Sequence, residues 1–351
     1  MKIKDILKVA DNEYATIAED SVCGDVDKWV DTGSYTFNAI VSGSIFKGLP
    51  CNKILGLVGT ESTGKTFFAL AAVRHFLDSD PNAVVVYFET EGALTTDILE
   101  SRKIDMKRFA VMPVTTVQEF KNQAIRIVQE KIEEKDDAPV MFVLDSLGNL
   151  STTKEMEDSV AGSDTKDMTR AQILKAAFRV LSLKLSVAKI PMIFTNHVYD
   201  KIGQGPYAGK EQGGGSGSKY AASVTIGLTK AKEKDGDEHT GSIISCTVIK
   251  SRLTREGLKI KSLIRFNGGL DRYYGLIDIA EKAGVFKKVS TKYEMPDGKK
   301  YFGKTIERDP TKFFTQEVLQ QIDAYVQKEF RYGAGGEDDT TIPTEIEDDQ
   351  E

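Results

Sequence analysis

The run GTESTGKT, from Gly59 to Thr66, constrains this chain more than any other stretch of it. It satisfies G-x-x-x-x-G-K-[ST] and stands between an apolar run, Lys53 to Val58, and a helical pattern, Lys65 to Leu77. In that setting the glycines let successive backbone N–H groups curl around phosphate oxygens, and the helix N-terminus adds its positive end. Lys65 is then placed to reach the β- and γ-phosphates, and Thr66 to ligate Mg²⁺. The whole run (Gly59, Thr60, Glu61, Ser62, Thr63, Gly64, Lys65, Thr66), with Phe67 behind it, is expected to cradle ATP and its magnesium. An ordinary tight strand–helix turn is the alternative, and the strand–motif–helix context sets it aside.

A phosphate loop of this kind predicts an acidic partner at the end of a neighbouring strand. PVMFVLDS supplies one: Asp145 closes the apolar run Val140 to Leu144 and can hold the water shell of the metal. A second acidic candidate follows the strand AVVVYF, in ETEGA. Glu89 and Glu91 are two apart, so an extended chain points both to one side of the sheet, and either could orient an attacking water. Spacing does not choose between them.

The rest of the body fits an α/β fold. Lys53 to Val58, Ala83 to Phe88, Val140 to Leu144 and Met192 to Thr195 read as buried strands, without polar alternation. Between them, Val117, Phe120, Ala124, Ile127 and Val128 mark one helix face, and Leu174, Ala177, Phe178, Leu181 and Leu185 another. Strands alternating with such helices imply right-handed crossovers and a mainly parallel sheet covered on both sides. Consecutive strands near Ser223 to Leu228, Ser242 to Ile249 and Lys261 to Phe266 then predict antiparallel additions.

Charge and cysteine content narrow the setting. The net charge is −6, but eight acidic residues and no basic one lie between Glu337 and Glu351, so the body without them carries +2. Such a tail reads as a disordered, self-repelling extension, solubilising or regulatory. Cys23, Cys51 and Cys246 are widely spaced and odd in number, which fits a reducing cytosol and no disulfide framework. The N-terminus lacks an apolar stretch of signal-peptide length, and the longest apolar strand is too short for a bilayer, so a soluble cytoplasmic protein is expected.

Taken in order, DTGSYTFNAIVSG, GTESTGKT, YFETEGAL, FVLDSLGNL, KDMTRAQ, FTNHVYD, EQGGGSGSK, VIKSR and RFNGGLDRYYGLIDIA resemble the RecA-type recombinases, and within them the phage branch of UvsX-type strand-exchange proteins. The resemblance runs from about Asp31 to Lys288 and implies a RecA-like ATPase core. It makes Glu91 the water-activating glutamate. It puts His197 where a γ-phosphate sensor sits, whereas the residue pattern alone reads this histidine as an ordinary neutral side chain. It gives Lys250 and Arg252 the task of reaching the ATP of an adjacent subunit, against a bland reading as a solvated strand end. The implied organisation is an N-terminal protomer-docking element, 1–30, with Ile3, Ile6, Leu7 and Ala10 as its apolar face, then the ATPase core, 31–270. A small C-terminal domain, 271–333, and the acidic tail, 334–351, follow. The chain departs from bacterial members around Leu94 to Leu99, where their adenine-stacking residues have no clear match.

The resemblance also implies two DNA-binding loops, at about 157–167 and 199–217. Lys166 and Arg170 flank the first, and Tyr199, Lys201, Gly213, Gly214, Gly215 and Gly217 belong to the second. Glycine suits a backbone that must lie against phosphates without reading sequence. The expected activity is DNA-dependent ATP hydrolysis with homologous strand exchange on filaments of single-stranded DNA paired with duplex, with self-association and with loading or single-strand-binding proteins as partners. A ring-shaped helicase or clamp-type ATPase, and a P-loop small-molecule phosphotransferase, are the competing readings.

Overall fold

The computed structural model describes residues 2–333 apart from 13, 21, 23, 136, 163–168, 200–210, 213–220, 231–240 and 267. Its strands, in chain order, are β1 (Trp29–Val30), β2 (Leu49–Pro50), β3 (Ile54–Gly59), β4 (Val84–Glu89), β5 (Phe109–Pro113), β6 (Val140–Asp145), β7 (Met192–Tyr199) and β8 (Glu211–Gln212). Then come β9 (Val224–Lys230), β10 (Gly241–Ser251), β11 (Lys259–Arg265), β12 (Gly269–Leu270), β13 (Lys287–Val289), β14 (Lys292–Glu294) and β15 (Lys300–Phe302). The α-helices are α1 (Ile3–Ala10), α2 (Tyr35–Ser42), α3 (Lys65–Ser79), α4 (Thr96–Ser101), α5 (Val117–Glu133), α6 (Thr153–Val160) and α7 (Arg170–Val187). They continue with α8 (Leu276–Lys282), α9 (Gly303–Arg308), α10 (Pro310–Phe313) and α11 (Gln316–Phe330).

Among the described residues one sheet dominates, in the order β12-β11-β10-β9-β3-β7-β6-β4-β5, with β8 paired to β7. Strands β5, β4, β6, β7, β3 and β9 run parallel, so β9, the first of the three consecutive strands expected to be antiparallel, instead joins β3 in parallel. Strands β10 and β11 extend the sheet antiparallel as the sequence predicts, and the short β12 adds one more antiparallel strand. Strand residues alternate between two apolar layers. Leu55, Leu57, Val85 and Tyr87 face α2 and α3, whereas Ile54, Val86, Phe88 and Phe142 face α5 and α7. This two-sided burial explains the unbroken apolar runs, because a parallel strand covered on both faces has no polar side to show. Residues of α8, α10 and α11, such as Leu276, Phe313 and Ile322, join the same apolar layer as α2 and α3. Asp323 of α11 ties them polarly as well, accepting from Ser44 Oγ and Ile45 N at 2.7 Å each.

Three differences from the sequence reading have plain causes. Strand β5 was not foreseen: it is the sheet edge, only Phe109 of its five residues is buried, and so it shows no apolar run. The first expected loop begins as helix, since Glu157 to Val160 form the end of α6, launched by a reciprocal cap between Thr152 and Glu155. Tyr199 belongs to β7, and Val198 and Tyr199 pair with Gln212 and Glu211. Lys166, Lys201, Gly213, Gly214, Gly215, Gly217 and the acidic tail lie outside the described residues. No helix among the described residues is long and apolar enough to cross a membrane.

Candidate nucleotide site

The parallel register brings four strand ends to one edge of the sheet. Gly59 pairs with His197, and Glu89 pairs with Asp145, so the phosphate loop, the acidic strand end and the histidine share one side. This is the carboxyl end of the strands, where open α/β sheets present their ligand sites. Gly59 approaches β9 so closely that a Cβ would stand 2.5 Å from the Leu228 carbonyl oxygen. Gly64 adopts φ +80, a left-handed conformation that side chains rarely take, and a Cβ there would also press on the movable end of Ile264 at 2.3 Å, so the backbone geometry favours glycine at both motif positions. Gly64 is the N-cap of α3 and supplies no side-chain cap, which leaves the first N–H groups of the helix directed at an anion site.

Inside this edge lies a cavity of about 360 Å³ lined by residues including Gly64, Lys65, Thr66, Glu91, Asp145 and His197. Lys65 is 7% exposed, and its Nζ donates to the carbonyls of Gly59 at 3.2 Å and Thr60 at 2.9 Å. Burial draws its pKa below that of an ordinary lysine, opposed by the charges of Asp145, Glu91 and Glu61. Lys65 Nζ also lies 3.5 Å from His197 Nδ1, and His197 Nε2 lies 3.3 Å from Glu91 Oε1. An imidazole carrying its proton on Nε2 satisfies both contacts. Glu91 Oε1 further accepts from Ser146 Oγ at 2.7 Å, and Thr90 braces Ser146, accepting from its N–H at 2.7 Å.

Glu89 is used differently. Its carboxylate accepts the backbone N–H groups of Glu91, Gly92 and Ala93 at 3.2, 2.8 and 3.0 Å, so it pins the turn that carries Glu91. Glu91 lines the cavity. Asp145, 8% exposed, accepts at Oδ2 from Thr66 Oγ1 at 2.7 Å and Tyr87 OH at 2.6 Å, and at Oδ1 from Thr195 Oγ1. A hydroxyl and a carboxylate side by side at the mouth of a lysine-bearing phosphate cradle are the oxygen donors a hard divalent cation takes. The chemistry of the residues therefore fits a nucleotide phosphate with magnesium. Phe67 also lines this cavity, half-buried, with the Arg102 guanidinium 4.4 Å over its ring.

The remaining predicted residues lie elsewhere. Lys250 and Arg252 sit at the opposite end of the sheet. Strand β10 runs antiparallel to β9, so Lys250 pairs with Thr225 and Ser251 with Val224, four residues back along β9 from the Leu228 that faces Gly59. That offset is about 13 Å of strand. Lys250 Nζ donates to the Ala222 carbonyl at 2.8 Å. Arg170 donates from Nε to Leu150 O and from Nη2 to Gly148 O, both at 2.7 Å, so its guanidinium clasps the segment after β6. Tyr87, Thr195, Ser146 and Thr90 were missed, because in the sequence they stand within or beside apolar runs and look like core. A larger cavity, about 610 Å³, opens at the other end of the parallel strands beside Asp25, Cys51 and Lys189. It lies far from the phosphate loop and shares none of its acid–base residues, so volume alone does not mark the site.

The description "RecA N-terminal domain" fits residues 4–271 of this chain. The recombination and repair protein of Enterobacteria phage T4 is 32% identical over 251 residues, which are 72% of this chain and 63% of that protein. The chain thus spans a little under two thirds of that phage relative. Protein RecA of Nocardioides sp. is 26% identical over 294 residues, 82% of this chain and 81% of that protein, and Protein RecA of Paracoccus denitrificans is 26% identical over 251 residues, 71% and 68%. With three quarters of its length matched and the phosphate-loop cavity built as described, the chain belongs to the RecA family.

Proposed function

We propose that this chain is an ATP-dependent recombination protein that assembles on single-stranded DNA, pairs it with duplex and exchanges strands. The observation that carries the reading is the continuity of β7. His197 touches both Lys65 and Glu91, and two residues later the same strand enters the glycine-rich segment that contains Gly213 to Gly217. One strand therefore links the phosphate end of a nucleotide to the segment proposed to lie on DNA. Lys65 and the loop N–H groups hold the phosphates, and Thr66 and Asp145 hold magnesium, which neutralises phosphate charge. Glu91 orients the attacking water, held by Ser146.

Lys250 and Arg252 are too far along the sheet to serve their own phosphate loop, which speaks for action on a neighbour. Helix α1 speaks for self-association too: none of its residues is buried, and Ile3, Ile6 and Val9 are exposed, Val9 by 76%. We assign 1–30 to protomer docking, 31–270 to the ATPase core and 271–333 to a smaller C-terminal unit. Loading and single-strand-binding proteins are the expected partners, in the cytoplasm of the host if the gene is phage-borne. The decisive experiment measures ATP hydrolysis with and without single-stranded DNA and then images the complex by negative stain. Stimulation by DNA with helical filaments is expected. Closed hexamers would point to a ring helicase, and hydrolysis indifferent to DNA would point to a small-molecule phosphotransferase.

A further inference from the structure

We propose that Tyr87 is a positioning residue for the divalent cation: its hydroxyl determines which oxygen of Asp145 is left to receive a metal-bound water. Tyr87 lies inside β4, 1% exposed, with its ring against Phe109 at 5.4 Å between centroids. Its neighbours along the strand, Val85, Val86 and Phe88, are all buried apolar residues. Packing alone would be met by phenylalanine. The hydroxyl is instead 2.6 Å from Asp145 Oδ2, and nothing else in this interior strand calls for an O–H group.

An ionised carboxylate offers about four lone-pair positions. At Asp145, Tyr87 and Thr66 take two on Oδ2, and Thr195 takes one on Oδ1. A single acceptor position remains, on Oδ1. Thr66 spends its proton on Oδ2, which frees the lone pairs of its oxygen for the cation. The arrangement thus presents one hydroxyl oxygen and one carboxylate position, both fixed before the cation arrives. A tyrosine phenol ordinarily ionises only at a pH of about 10, so the hydroxyl is a donor throughout the working pH range. Without the phenol, Oδ2 keeps Thr66 but gains an unmet acceptor position in a dry setting, and the carboxylate loses one of the three bonds that fix its rotation.

The inference rests on the nucleotide–magnesium reading of the site. Its test is Tyr87→Phe, which keeps the ring and deletes only the hydroxyl. Mn²⁺ binding to the protein–ADP complex is followed by electron paramagnetic resonance, and ADP binding is measured separately in EDTA. The expected result is Mn²⁺ affinity weakened by about tenfold or more, as for other groups that orient metal ligands, with ADP affinity in EDTA unchanged. The Mg²⁺ concentration for half-maximal hydrolysis should rise by the same factor. Unchanged Mn²⁺ affinity would make Tyr87 a packing residue, and a parallel loss of ADP binding in EDTA would make its role structural. If the unaltered protein–ADP complex bound no Mn²⁺, the nucleotide–magnesium reading would fall and this inference with it.

Discussion

Glu89 and Glu91 are two residues apart and have opposite jobs, because the chain turns between them. Glu89 ends β4 and spends its carboxylate on three backbone N–H groups of the following turn, whereas Glu91 reaches the cavity and meets Ser146 and His197. Glu91→Gln should therefore keep nucleotide binding and lower the rate of hydrolysis by roughly 10²–10⁴, the usual share of a positioned base. Glu89→Gln should act more weakly and on binding as well as rate, since it loosens the turn. Steady-state and single-turnover ATPase kinetics separate the two, and normal hydrolysis by Glu91→Gln would reverse the assignment. Lys65→Ala should abolish nucleotide binding in the same assay. The motif residues were legible because phosphate binding demands a contiguous pattern. Tyr87 and Thr195 were not, because their partner Asp145 is 58 and 50 residues away and only the strand register brings them together.

Strand direction decides what each element can contribute. Parallel β3 and β7 deliver the phosphate loop and His197 to one edge, and antiparallel β10 delivers Lys250 and Arg252 to the other. A protein carrying Lys250→Ala and Arg252→Ala, mixed with a Lys65→Ala protein, should thus recover part of the ATPase activity that each lacks alone, since some mixed interfaces pair an intact loop with intact basic residues. Full activity in a dilute monomeric sample would exclude action across an interface. A second element-level tie joins the segment before α2 to the turn before α8, where Asp31 meets Arg272 and accepts from Asn38 Nδ2 at 2.9 Å. Burial raises the Asp31 pKa, but Arg272, Asn38 and the Gly33 N–H outweigh it, so the folded value lies below the unfolded one. Its stabilisation is complete above the unfolded pKa of about 4 and fades as pH falls through the lower folded value. Asp31→Asn should cost about 1.5–3 kcal/mol near neutrality, as loss of a charged hydrogen bond does. In urea unfolding at a series of pH values, the gap to the unaltered protein should close below about pH 4. The sequence revealed buried strands through their apolar runs, but neither this tie nor β5, whose short, half-exposed edge leaves no periodic mark.

Over the whole molecule, the charge is divided in a way the net figure conceals. The chain carries −6, yet the eight acidic residues between Glu337 and Glu351 leave a body of +2. The segment follows just beyond α11, and the residues from 271 onward expose Lys287, Lys288 and Lys304. A DNA phosphate backbone and an acidic tail compete for the same cations, and each released tail carboxylate makes room for one phosphate contact. Deleting Glu337 to Glu351 should therefore raise affinity for DNA, most for duplex, whose charge density is higher. The gain should be largest at about 0.01 M salt, where charges act over roughly 30 Å, and shrink toward 0.15 M, where they act over about 8 Å. Fluorescence anisotropy of labelled duplex across that salt range gives the measurement. A gain that persists at high salt would mean that the tail blocks the surface sterically, and equal affinities at every salt concentration would leave the tail no electrostatic share in DNA binding.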